Sequence, residues 1–456
     1  MRRAAEAPEP QRHPSGPPLC RPPRIGVGAL LRLALPSAAF TLLTNGYRIV
    51  DQYFVQGVSV AAQAAVSASV FVLILFYAAF ELVASGAGPL IARATGAGDP
   101  ERRRRLLGQS LSAVLVQSAL LMAIGVAAAP AIAVALGLSG APAVECSRYL
   151  TALFATILPL ALTPLIDQTF LAMGNARAPL CLHALSLALN VALTPLLVYE
   201  AGLGVVGAAL ASNAARGVAS ALGVWQLGRD LGLRSAHLYA RGELRRILRI
   251  GAPMALGTAL FAGVYWGLLK TTVSPLGAHV NAALGIGFSA LEGFTWPLFH
   301  GIALASASLV GRALGAERPD LAQRALRTAL PVSTALGIAA TAAFYFGAVP
   351  LTGLFTDDDL VHRAAAEYAV ILAASQLFLA WESLGEGVLA GAGATRVVFW
   401  CSAPLNLLRI PLAWVLAFPL GWGPAGVWWA INLTTYGKAA LKGWMAWRGG
   451  WLRLEP

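Results

Sequence analysis

Twelve runs of apolar residues, most of them longer than 20 positions, divide this 456-residue chain, and no other feature limits its folding as much. A helix needs about 20 such residues to cross the hydrocarbon core of a bilayer. Inside that core every backbone amide must be satisfied within the protein, which leaves helices or a closed barrel. Runs of this length are helical, so the expected fold class is an all-α integral membrane protein with twelve transmembrane helices. The expected spans are 29–56, 63–90, 107–136, 147–172, 178–200 and 204–228, then 247–272, 281–310, 326–352, 363–390, 397–420 and 424–446. Charged residues make up 12% of the chain, where soluble domains carry about 25%, in keeping with that class.

The spans fall into two sets of six. The expected organisation is a cytoplasmic tail (1–28), a six-helix lobe (29–228), a basic cytoplasmic linker (229–246), a second six-helix lobe (247–448) and a short cytoplasmic tail (449–456). The first residues hold arginines and prolines but no cleavable apolar segment, so they read as a tail and not as a signal peptide. The net charge of +12 comes from 33 Lys and Arg against 21 Asp and Glu. Most of those cations lie in alternate connections: Arg93 with Arg102–Arg105, Arg177, the stretch Arg229 to Arg249, Arg312 to Arg327, and Arg396. The other connections hold only Arg148 and Arg363, the latter after Asp357, Asp358 and Asp359. The positive-inside rule then puts both termini in the cytoplasm and accounts for the basic balance without nucleic acid. Four scattered cysteines form neither a disulfide framework nor a metal motif.

The chain also repeats. Ile91–Pro100 (IARATGAGDP) resembles Val310–Pro319 (VGRALGAERP), 219 positions later. Gly174 and Arg177 match Gly393 and Arg396 at that offset, as do Gly202, Gly204 and Gly207 against Gly421, Gly423 and Gly426. Leu189–Pro195 matches Leu405–Pro411 at 216, which implies a small insertion. An even number of spans per repeat gives both halves the same orientation. The expectation is two pseudo-symmetric lobes about an axis along the membrane normal, with a substrate cavity between them.

Polar residues inside the spans are the candidates for function. A carboxylate in a lipid-spanning helix costs on the order of 3 kcal/mol, so Asp51 faces protein or water. Helical spacing puts Phe40, Thr44, Tyr47, Arg48, Asp51 and Val55 on one face, which leaves open whether Arg48 merely neutralises Asp51. The fifth span carries His183, Ser186, Asn190 and Thr194 before Pro195, and the sixth carries Ser212, Asn213, Arg216 and Ser220. A carboxylate with amide and hydroxyl oxygens suits a monovalent cation, while a proton needs only the carboxylate and a path of water. The same hydroxyls and amides also serve as contacts between helices. In the second half the intramembrane charges are Lys270, Glu292, Glu382, Glu386, Arg409 and Lys438, three acids and three bases that permit mutual pairing. Glu292, Glu382 or Glu386 otherwise faces the cavity, where Trp296 and neighbouring aromatics supply stacking surfaces for a flat cation. Lys270 stands 219 positions after Asp51, so the halves carry opposite charge at corresponding depth. Glu81 and Asp167 lie nearer the cytoplasmic side, and His300 reads as a packing residue. No Walker loop, GxSxG or HExxH is present, so neither ATP hydrolysis nor enzymatic chemistry is expected and secondary transport remains.

These residues carry a family resemblance. The stretches Ile49–Gly57, Ala92–Asp99, Leu171–Leu180, Leu189–Ser212, Gly387–Arg396 and Arg409–Ile431 resemble, in order and in both halves, the multidrug and toxic compound extrusion (MATE) family. The resemblance covers residues 29 to 450. It implies an exporter that exchanges Na⁺ or H⁺ for organic, cationic or amphipathic substrates by rocking-type alternating access. In it Asp51 matches the family's coupling aspartate, Tyr47 the tyrosine one turn earlier, Asn190 the fifth-helix asparagine, Ser212 a sixth-helix threonine and Glu292 an eighth-helix glutamate. Many members have a second aspartate where this chain has Thr194. Its loss weakens Na⁺ coordination, and Arg216 stands where a cation would sit, so the expectation leans to protons and a DinF-like branch. Arg216, Trp296, Lys270, Glu292, Glu382 and Glu386 are the expected substrate-cavity residues. The expected partners are a small-molecule substrate and the bilayer of the inner membrane, with no metal or organic cofactor, and the chain acts as a monomer. A flippase for a lipid-linked head group is the alternative.

Overall fold

The computed structural model describes residues 23–238 and 242–454, without the side chains of Val70, Phe71 and Ser289. The expected tail 1–28 therefore lies mostly outside the described residues, as do the middle of the linker and the last two positions. All the regular structure described is helical. In the first half the spans are α1 (Val27–Val55), α2 (Val60–Gly96), α3 (Pro100–Ala135), α4 (Gly140–Ala155 and Leu158–Ala172), α5 (Arg177–Glu200) and α6 (Gly204–Leu231). In the second they are α7 (Leu244–Leu276), α8 (Ala278–Gly315), α9 (Pro319–Thr352), α10 (Asp359–Gly391), α11 (Thr395–Ala417) and α12 (Pro424–Arg448).

Among the described residues, ten helices are long and apolar enough to cross a bilayer, and the two parts of α4, bent by 55°, make an eleventh. The twelfth is α12, which buries Asn432, Lys438 and Lys442 and is too polar to be counted by hydropathy. Local chemistry sets several ends. Asp99 accepts from the Arg102 amide at 2.8 Å, so α3 begins at Pro100 and not where its apolar run starts near 107. Asp358 caps α10 through the amides of Leu360 and Val361, at 2.9 and 3.0 Å. Wide π turns close α5 (Leu196–Glu200), run through the end of α7 (Leu269–Val273) and interrupt α8 (Ile286–Leu291). The first follows Pro195, whose ring removes a backbone donor.

The two lobes repeat one packing scheme. In the first, α1 lies on α5, α5 on α6, α2 on α4 and α3 on α4; in the second, α7 lies on α11, α11 on α12, α8 on α10 and α9 on α10. The loop glycines matched by sequence also match in backbone, with φ of 84° and 81° at Gly174 and Gly393. Between lobes, α1 crosses α8, α2 crosses α7, and α2 meets α8 on the axis. Glycine permits that last contact. A Cβ on Gly96 would sit 1.9 Å from the Arg312 carbonyl oxygen, and one on Gly315 2.0 Å from that of Arg93. The lobes are thus pressed together at the end of the molecule that gathers the arginines. Large apolar side chains cover the outer surface, among them Leu35, Ile49, Trp400 and Phe346, as a surface facing lipid requires.

Candidate functional site

In the first lobe α1, α4, α5 and α6 enclose a column of polar side chains. The α5 stripe at helical spacing (His183, Ser186, Asn190 and Thr194) is wholly buried. The Asp51 carboxylate, 5% exposed, accepts from Ser212 Oγ at 3.0 and 3.1 Å. Asn190 Nδ2 donates to Ser212 Oγ at 3.0 Å and to Thr194 Oγ1 at 3.1 Å, while the Thr194 hydroxyl donates to the Asn190 carbonyl at 2.7 Å. The donors therefore point in one direction, from amide to hydroxyl to carboxylate. Tyr149 of α4 also reaches the Asp51 carboxylate. Among the described residues no basic group lies within ion-pair distance of Asp51.

That geometry decides the question of Arg48. It stays exposed, at the edge of the α1 face that buries Phe40, Tyr47, Asp51 and Val55, and forms no pair with Asp51. Arg216 makes no ion pair with Asp51 either; its guanidinium is stacked 3.9 Å from the centre of the Tyr47 ring, one turn away, where its charge still acts on the carboxylate. One further turn along, His183 Nε2 and Asp167 Oδ2 are 2.9 Å apart, with the imidazole stacked on Phe40.

The second lobe treats its charges differently. Glu382 Oε1 lies 3.1 Å from Lys438 Nζ and 3.0 Å from Lys442 Nζ, and Lys442 also reaches Glu386 at 2.5 Å. The acids at adjacent turns of α10 are thus tied together by a lysine instead of facing an open cavity as a pair. Arg409, 1% exposed, donates to Thr434 Oγ1 at 3.0 Å and lies 5.5 Å from the Tyr265 ring centre. Glu292 accepts from Tyr368 at 2.9 Å. Trp296 is 44% exposed and stacks on His300 at 4.5 Å.

Lys270 does not enter the lobe. It is exposed beside Trp266, 5.2 Å from that ring, while Leu268, Thr272 and Val273 turn inward. The difference in facing is present one turn earlier, where Trp266 is 62% exposed although Tyr47, 219 positions before it, is 3% exposed.

Some functional residues escaped sequence reasoning. Tyr149 and Tyr368 are 219 positions apart and each meets a buried acid, so the repeat spacing held that signal. Asn432 was missed too, although it stands 219 positions after Asn213 of the sixth-span stripe; the two donate to the carbonyls of Ile371 and Leu153 at 2.7 and 3.0 Å. Lys442 gave no such sign, since its partners are 56 and 60 residues away. Among the described residues no group of three or more His, Cys, Asp or Glu is arranged to hold a metal ion.

Comparison with known proteins agrees with this architecture. Residues 36–196 and 253–415 match the MatE family model. A probable multidrug resistance protein NorM of Bradyrhizobium diazoefficiens is 29% identical over 448 residues, covering 90% of this chain and 91% of its own. The fold is shared with a MATE protein crystallised in a straight conformation (TM-score 0.87, 20% identity, 95% of this chain and 98% of the other). It is also shared with a MOP superfamily transporter from Pyrococcus furiosus, whose binding pocket is described as of reverse polarity (TM-score 0.86, 19% identity, 96% and 98% covered).

Proposed function

This chain belongs to the multidrug and toxic compound extrusion (MATE) family and is a multi-pass membrane transporter, and on that premise we propose that it is a cation-coupled antiporter of a DinF-like branch. It exports organic cationic or amphipathic compounds across the inner membrane in exchange for H⁺, with Na⁺ as the other candidate ion. The arginine-rich end faces the cytoplasm, and one chain suffices because it carries both lobes.

One observation carries this reading: Asp51 is buried against the Ser212 hydroxyl and is locked in no ion pair, because Arg216, whose charge acts on it, is stacked on Tyr47 instead. A carboxylate held by a permanent salt bridge gives up its partner only at a cost of about 3–5 kcal/mol. One held by Ser212 and Asn190 can exchange a proton or ion against hydroxyl and amide contacts that rearrange. Thr194 supplies a hydroxyl where a second carboxylate would favour Na⁺, which supports the proton.

The mechanism follows from the lobe geometry. Taking up a proton removes the charge that Ser212 and Asn190 point toward, which weakens the contacts between α1 and α6 and biases the rocking of the lobes. Substrate leaves outward from the cleft between α1, α2, α7 and α8. Proteoliposomes with a pH gradient and a Na⁺ gradient imposed separately test the coupling. Export driven by pH alone and abolished by Asp51→Asn supports it; export unchanged in that variant removes it.

The buried Arg409, which donates to the Thr434 hydroxyl, favours a second reading, carriage of an anionic lipid-linked head group. Competition by an anionic lipid analogue, with no response to organic cations, would select it.

A further inference from the structure

The polar column does not stop at Asp51. From Thr194 it continues along α5 through Asn190 and Ser186 to His183, on α6 through Ser212 and Arg216 to Ser220, and on α1 from Asp51 to Tyr47. Seven residues separate Asn190 from His183, about 10 Å of helix rise toward the arginine-rich end. There the lobe has a half-open pocket lined by Tyr47, Asp167, His183, Ser186 and Arg216 together with apolar side chains of α4, α5 and α6. It measures about 20 Å³, room for about one water molecule.

Polar atoms aim into that space. The Tyr47 hydroxyl approaches Ser186 and Arg216 without closing a hydrogen bond, and Ser186 Oγ is likewise buried without a partner. Tyr47 and Ser186 are 3% and 2% exposed. Buried hydroxyls that have no protein partner and meet at a pocket are the usual setting for a structural water. The far end differs from the near end in access, since Asp167 is partly exposed while Asp51 is buried.

We propose that this buried column is the inner passage of the coupling proton and that it ends on the Asp167–His183 pair. The inference rests on the proton-coupled reading above. When Asp51 gives up its proton, its O–H bond breaks and the carboxylate is restored. The proton shifts through the pocket to the Asp167–His183 pair, which gains one positive charge. It then leaves to water on the arginine-rich side once the Gly96–Gly315 contact opens.

The charged and titratable groups around the passage are Asp51 and Tyr47 on α1, Tyr77 on α2, Tyr149 and Asp167 on α4, His183 on α5 and Arg216 on α6. Arg216 is the fixed cation among them. Stacked on Tyr47, it opposes a proton lingering in the column and so blocks a free leak, in the way that a pore-lining arginine excludes protons. At the 216-position offset that relates α5 to α11, Ser186 and Asn190 recur as Ser402 and Asn406, but Phe399 and Ile410 stand at the places of His183 and Thr194, so the α11 stripe ends on no titratable group.

The test uses full-length protein in proteoliposomes with ethidium as the transported cation and a pH-sensitive dye inside. Asp167→Asn, His183→Gln and Ser186→Leu, the last filling the pocket without removing a titratable group, are compared with the unaltered chain. Each is expected to slow pH-driven ethidium movement and its accompanying proton flux roughly tenfold, with ethidium–ethidium exchange at equal pH kept within about twofold. Asp51→Asn, by contrast, stops pH-driven movement altogether. Gradient-driven rates near normal in the three variants overturn the passage, as does exchange that falls in parallel, which marks a structural role. If the unaltered protein ignores the pH gradient, the proton-coupled reading fails first and this inference fails with it.

Discussion

The two lobes share one helix scheme and treat buried acids in opposite ways. Tyr149 and Tyr368 occupy equivalent places and each meets a carboxylate, Asp51 in one lobe and Glu292 in the other. Beyond that the likeness ends. Asp51 is held by a hydroxyl and, through it, an amide. Glu382 and Glu386 are held by Lys438 and Lys442. Taking an ion out of water costs several kcal/mol, and a countercharge at 3 Å recovers much of it only while both stay in place. The second lobe therefore has a fixed electrostatic core, whereas the first has a charge that neutral groups can release. The repeat supplied the frame twice, and the residues inside it differ, with lysines beside the α10 acids of one copy and hydroxyl and amide groups beside Asp51 in the other.

The contrast can be broken most sharply at the two acids. Asp51→Asn is expected to reduce pH-driven export to the level of empty vesicles while the purified protein keeps its melting temperature, read by transport and thermal unfolding in parallel. Glu382→Gln is expected to do the reverse. It leaves Lys442 with Glu386 alone and takes from Lys438 the acid it pairs with, costs about 3–5 kcal/mol, and shows as a marked fall in melting temperature. Equal melting temperatures would mean that the cluster is not a structural core.

A smaller effect sharpens the account of the first lobe. Ser212→Ala removes the donor to Asp51, a hydrogen bond to a charged group of about 1.5–3 kcal/mol, and pH-driven transport is expected to fall roughly tenfold or more. Ser212→Thr, which keeps the hydroxyl, is expected to retain most of the rate. The smallest effects belong to charges that the fold leaves outside. Arg48→Gln and Lys270→Ala are each expected to change transport and melting by less than about 0.5 kcal/mol, as exposed substitutions do. A large loss in Arg48→Gln would restore the ion pair with Asp51 that the structure does not contain.

Much of the site in the first lobe was legible because its partners repeat at helical spacing. His183, Ser186, Asn190 and Thr194 fall on one face of α5, and that face is the buried one. The same reasoning failed at Lys270, which lies with Trp266 on the exposed side of α7, and at Arg48, which stays exposed at the edge of the face. It could not find Lys442, because nothing in the spacing of α12 says that it faces α10.

The sequence by itself determined the class of fold, the two copies of a six-span unit and the residues that had to avoid lipid. Each of those follows from local quantities: the length of an apolar run, the period of a polar stripe, the recurrence of a glycine pattern. Only the tertiary structure decided which buried charges meet. Glu382 and Lys442 are sixty residues apart, and their encounter depends on how α10 and α12 are rotated against each other. Helix rotation is set by the packing of the whole bundle, so Asp51 was left among neutral donors and Glu382 among lysines by contacts that no single helix encodes.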